Sequence, residues 1–191
     1  MAAAIGLPAA AHSPSIGAEQ VAWTIWVALL FYFMAAAAIL RISGDAWRRN
    51  QQAIQTVRLL WSLGWLAFAI HVALAFEHYY HWSHGNAIAH TREVSGVGGG
   101  IFVSYFFTLV WCLDALAWWL RPEAYLHRPK WVGWAIHGFM AFVVFNGAVV
   151  YAAGPVRWVS GGAFVVLGGL SASRCLKLRR AVAHSPHQVA A

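Results

Sequence analysis

Charged side chains are scarce in this chain of 191 residues, at 10% of the total. Soluble domains carry about 25% charged residues, whereas hydrophobic residues here reach 61%. This balance excludes an ordinary water-soluble domain and favours an integral membrane protein. The net charge of +7 does not indicate nucleic acid as a partner, because the basic residues flank apolar runs instead of clustering on a polar domain.

Cysteine is almost absent, and its two copies are Cys112 and Cys175. Two isolated cysteines make neither a disulfide framework nor a metal motif, so we interpret both as packing residues. The chain also lacks the Gly-x-x-x-x-Gly-Lys phosphate loop and the Gly-x-Ser-x-Gly nucleophile elbow. These absences remove several enzyme classes, and no pattern in the chain predicts a particular reaction.

Five apolar stretches dominate the sequence, and most approach the roughly 20 residues that cross a ~30 Å hydrocarbon core as a helix. They cover approximately 21–40, 59–76, 101–120, 131–153 and 158–173. The fold predicted is therefore an all-α integral membrane protein, with one bundle of five transmembrane helices over 1–180. A flexible cytoplasmic tail is expected over 181–191.

Lysine and arginine are distributed unevenly between the two sides of this bundle. Threading the stretches alternately leaves only Arg92 and Arg157, of 13 basic residues, on one side. By the positive-inside rule the N-terminus lies outside and the C-terminus in the cytoplasm. The expected location is a bacterial cytoplasmic membrane. The lipid bilayer, with its anionic head groups, is the expected partner, and other membrane subunits are further candidates.

The outer segment between the second and third stretches is rich in histidine. It contains four of the chain's 10 histidines, with a glutamate near each end. If the second helix continued, steps of three residues would place histidines on successive turns, and neutral imidazole binds transition metals. The candidate ligands are His78, His81, His84 and His90, supported by Glu77 and Glu93.

A structural interpretation of the same segment stays open beside the metal site. Histidine, tyrosine and tryptophan all suit a membrane interface, where they bind water, lipid phosphate and backbone groups. A step of three residues also turns about 300°, so such a ladder drifts by about 60° per step. The histidines are therefore either metal ligands or part of an interfacial belt.

Four polar residues fall inside the apolar stretches, where each is costly unless paired or solvated. Their depths suggest two layers, with Asp114 and His137 towards the cytoplasm and His71 and Asn146 towards the outside. A hydrogen bond between Asp114 and His137 that locks two helices is expected, with a proton-relay or substrate role as the alternative. A bis-histidine haem on His71 and His137 is disfavoured, because their depths differ by roughly 12 Å of a ~30 Å core.

Two functions from different classes follow. The first is a multi-pass membrane protein that binds a transition metal or redox cofactor at the outer histidines, as part of an electron-transfer or metal-handling system. The alternative is a non-catalytic structural or accessory membrane subunit whose histidines and aromatic residues bind lipid or partner helices. A small transporter is disfavoured because no inverted repeat is visible.

Overall fold

The computed structural model describes residues 16–42 and 50–183, and within these ranges the chain forms helices and no strand. The helices are α1 (Ile16–Arg41), α2 (Gln51–Ala75), α3 (His84–Ser95), α4 (Gly100–Leu120), α5 (Pro122–Leu126), α6 (Lys130–Phe145) and α7 (Pro155–Ala183). A π-helical turn extends α2 over Phe76–Tyr80, and a second one extends α6 over Asn146–Val150. We call the end of the bundle with α3 the outer end and the end with α5 the inner end.

Five helical segments are long and apolar enough to cross a membrane, which confirms the predicted all-helical class and number of spans. They cover Glu19–Arg41, Gln51–Tyr80, Gly100–Leu120, Lys130–Val150 and Pro155–Lys177. The fifth segment is longer than the predicted 158–173. Gly154, at φ 66°, completes the preceding turn, and Pro155 suits the first position of a helix because its missing N–H needs no partner there.

Two predicted boundaries change at the inner end. The second helix begins at Gln51, where the Asn50 side chain accepts a hydrogen bond from the Ala53 N–H at 2.9 Å, so the polar stretch after it is continuous with the span. The last helix continues to Ala183, past the predicted start of the tail at 181. Residues 43–49 and 184–191 lie outside the described residues.

The outer connection contains a helix, α3, that the sequence analysis did not predict. Ser83 caps its first turn by accepting a hydrogen bond from the Asn86 N–H at 3.3 Å, and Gly96, at φ 79°, ends it. Ala87 is fully buried against Phe76 and Ile101. The third helix therefore packs across the outer ends of α2 and α4.

Large aromatic side chains form the centre of the bundle. Trp61 and Trp111 are each 1% exposed, with ring centroids 5.1 Å apart, and Tyr32 packs against both. A Cβ on Gly64 would lie 2.8 Å from the Trp111 ring, so glycine allows this close approach. On the periphery, α7 contacts α1 through Phe164 and Phe33, 5.3 Å apart.

The distribution of basic residues predicts which side of the membrane each end faces. In a chain with Cys112→Ala and Cys175→Ala, we expect an impermeant thiol reagent to label Ala89→Cys in intact cells but not Gln51→Cys. The second site should react only after the membrane is permeabilised, which is the internal control. Labelling of both sites from the same side would contradict the topology.

Candidate functional site

The histidine-rich segment forms a turn and not a continuous helix. The expected ladder from His78 to His84 does not form, because α2 ends at Tyr80 and the next two residues, His81 and Trp82, take the left-handed conformation at φ 48° and 55°. Such values are rare for residues other than glycine and are kept only where the surroundings enforce them. Here the Trp82 indole N–H donates to Glu77 Oε2 at 2.6 Å, which ties the turn to the end of α2.

The remaining histidines of this segment contact different neighbours. His84 Nδ1 lies 2.9 Å from the Tyr105 hydroxyl, and the His90 ring centroid lies 5.6 Å from that of Tyr80. His78 lies against α1 at Gly17, where an added Cβ would meet its ring at 2.6 Å. These contacts attach the turn and α3 to the bundle.

The predicted metal site gains no support from this arrangement. In 16–42 and 50–183, no three histidine, cysteine, aspartate or glutamate side chains come together in a group that could hold a metal ion. Glu93, the other predicted carboxylate, is exposed on α3. A metal on His78, His81, His84 and His90 stays a prediction.

Asp114 is the centre of a buried polar cluster at the inner end. Its side chain is 1% exposed, and Arg128 Nη1 lies 2.5 Å from Oδ1. Oδ2 accepts hydrogen bonds from the Trp61 indole N–H at 3.0 Å and the Tyr125 hydroxyl at 2.9 Å. Burial and the nearby Asp114 carboxylate raise the pKa of Tyr125, so its phenol keeps its proton and donates.

His137 belongs to the same cluster, but its link to Asp114 is indirect. Arg128 Nη2 lies 3.5 Å from His137 Nε2, and no direct hydrogen bond joins Asp114 to His137 in the described part of the chain. The predicted layer is correct in depth, and Arg128 and Tyr125 are its unpredicted members. They were missed because they lie in the inner turn. The prolines at 122 and 129, which bound this turn, were the signal that it is compact.

The two polar residues of the outer half do not bond to each other. Asn146 donates from its side chain to the Phe142 carbonyl of its own helix at 2.8 Å. His71 Nδ1 lies 3.0 Å from the Val21 carbonyl oxygen of α1. Asn146 begins the second π-helical turn, and His71 lines a cavity beside that turn.

This cavity is the largest concave feature among the described residues, with a volume of about 420 Å³. Its walls come from α1, α2, α4 and the outer end of α6, and they extend along α4 from Ile101 to Trp111. At 1.5 Å per residue that length is about 15 Å. Most of the lining is apolar, and its polar groups include Tyr32, His71 and Ser104. Cavities of roughly 300–1,000 Å³ with a few polar groups are typical of small-molecule sites.

Both π-helical turns contribute to the wall of the cavity. Phe76 and Tyr80 line it from the first turn, and Gly147 and Ala148 line it from the second. A π-helical turn is wider than an α-helical one and is often found at functional sites. Arg157 stabilises the second turn by donating to the carbonyls of residues 149 and 150 at 2.8 and 2.6 Å.

Comparisons with protein families, curated proteins and solved structures find no match to this chain. The function therefore has to be inferred from the residues and the cavity themselves.

The ion pair at the inner end gives a stability prediction. Asp114→Asn and Arg128→Met should each lower the free energy of unfolding by about 3–5 kcal/mol, because each leaves a buried polar partner uncompensated. The double variant should lose less than the sum of the two. Reversible unfolding in mixed micelles measures this coupling, with Arg121→Met, an exposed arginine nearby, as the control. Simple additivity would contradict the pairing.

Proposed function

We propose that this chain is a membrane protein that binds one slender lipophilic molecule in the outer half of its bundle. The observation that carries this proposal is the cavity of about 420 Å³ that both π-helical turns help to enclose. The chemical class follows from its lining, which is mostly apolar, and from its length of about 15 Å. A single hydrocarbon chain or a narrow ring system fits that shape better than a compact polar metabolite.

The energetics of packing support an occupant. On the scale of about 24 cal/mol per Å³ found for cavities in cores, an empty space of 420 Å³ would forfeit on the order of 10 kcal/mol. That is comparable with the whole stability of a typical domain, at roughly 5–15 kcal/mol. Water does not fill apolar cavities favourably because it finds too few hydrogen-bond partners. A lipophilic ligand restores the missing contacts.

The side from which the ligand enters depends on the orientation of the chain. We propose the positive-inside arrangement, with the N-terminus outside, the C-terminus in the cytoplasm and the bundle in a bacterial cytoplasmic membrane. The excess of lysine and arginine at the inner end supports this orientation. The cavity then lies at the depth of the outer leaflet, where lipophilic molecules concentrate.

Photolabelling with a long-chain alcohol that carries a diazirine at mid-chain tests the proposal. We expect labelled peptides from Phe68–Phe76 and Ile101–Trp111, with competition by the unmodified alcohol. Gly147→Leu should reduce labelling about tenfold, because an added side chain fills the cavity and overpacking costs ~1–3 kcal/mol. Ala75→Leu, on another wall, should do the same.

Gly138→Leu is the matched control for this experiment. Gly138 lies on the same helix as the second π-helical turn, is exposed, and is not part of the cavity lining. Its variant should label like the wild type. Labelling confined to lipid-facing residues such as Phe106 and Leu109, and unchanged in all variants, would contradict a ligand cavity.

A further inference from the structure

The hydrogen bonds of His71 determine which of its ring nitrogens carries a proton. Its Nδ1 lies 3.0 Å from the Val21 carbonyl oxygen, and a carbonyl oxygen can only accept a hydrogen bond. Thr24 Oγ1 lies 3.4 Å from the same nitrogen and directs its own hydrogen to the carbonyls of Gln20 or Val21, at 2.9 and 3.0 Å. Nδ1 therefore carries the hydrogen.

The other nitrogen of His71 is then a hydrogen-bond acceptor. A neutral imidazole has one N–H and one lone pair, so a hydrogen on Nδ1 leaves the lone pair on Nε2. An unpaired charge is strongly disfavoured at this depth, and the described neighbours Val21, Thr24 and Phe68 are all uncharged. No described residue forms a hydrogen bond with Nε2, and the His71 ring lines the cavity.

We infer that the ligand is a lipophilic alcohol or phenol whose hydroxyl group donates a hydrogen bond to Nε2 of His71. This inference rests on the proposed function and specifies the head group that the cavity selects. A ketone, aldehyde or ether oxygen can only accept, so it would leave Nε2 buried without a partner. An unpaired buried acceptor of this kind costs enough to weaken binding by about 10- to 100-fold.

The other polar groups of the lining do not make this distinction. Tyr32 is 3% exposed, and its hydroxyl has no hydrogen-bond partner within the described ranges. Like the hydroxyl of Ser104, it can donate or accept, so it binds an alcohol or a carbonyl equally well. It also lies deeper than His71, because the rise along α1 from Val21 to Tyr32 is about 16 Å. Selection between donor and acceptor head groups therefore falls to His71.

Competition against the photoreactive alcohol by three probes of equal chain length tests the inference. The probes are 1-dodecanol, dodecanal and dodecyl methyl ether, with the purified full chain in lipid nanodiscs. The wild type should prefer the alcohol by about 10- to 100-fold. Differences in partitioning into the bilayer cancel when this preference is divided by the preference measured for a His71 variant.

Two substitutions at His71 and one control complete the experiment. His71→Phe should bind all three probes with similar affinity. His71→Gln, whose amide both donates and accepts, should keep affinity for the aldehyde and the alcohol alike, and it covers the case in which the phenylalanine variant fails to fold. His127→Phe, an exposed histidine at the inner end, should keep the wild-type preference.

Each result decides between the two proposals. If the wild type binds none of the probes, the proposed function is wrong. If it binds all three equally, the cavity stands and the assignment of an alcohol head group is overturned. A preference for the alcohol that persists in both His71→Phe and His71→Gln would overturn the role of His71.

Discussion

The constraint on which the bundle depends is the burial of the Asp114 carboxylate in a medium without water. Such a group has to be bonded by the chain itself, because the desolvation of an unpaired charge costs several kcal/mol. Arg128, Trp61 and Tyr125 meet this need, and they come from the inner turn, α2 and α5. Satisfying one carboxylate therefore joins most of the inner end into one tightly packed unit, with His137 at its edge.

The outer half is built on the opposite principle. Trp111 donates from its indole to the Trp61 carbonyl at 3.1 Å, so the packed inner half also positions the deep end of the cavity. Above it, α2 and α6 both change to π-helical turns and leave room between them. The strained turn at His81 and Trp82 holds α3 across this outer end. A rigid inner end and an open outer end together suit a protein that holds a ligand from one side of a membrane.

Hydropathy alone predicted the five spans, because spanning helices need long apolar runs. It could not predict α3, whose short polar sequence resembles a loop and whose helix depends on the Ser83 cap and the burial of Ala87. Depth along each span placed Asp114 and His137 together, but it assigned Arg128 to the inner turn because its reach into the bundle is a tertiary contact. The cavity left no sequence signal, since it arises from the separation of helices whose residues each look like ordinary core.

Native mass spectrometry of the chain released directly from its membrane tests the central claim, the presence of one ligand in the outer cavity, most directly. The account predicts one lipophilic molecule of constant mass per wild-type chain, retained under gentle activation and lost in Gly147→Leu. The Gly138→Leu chain should carry the same molecule as the wild type. A bare wild-type chain, or a mixture of ordinary lipid adducts that is the same in all three proteins, would contradict it.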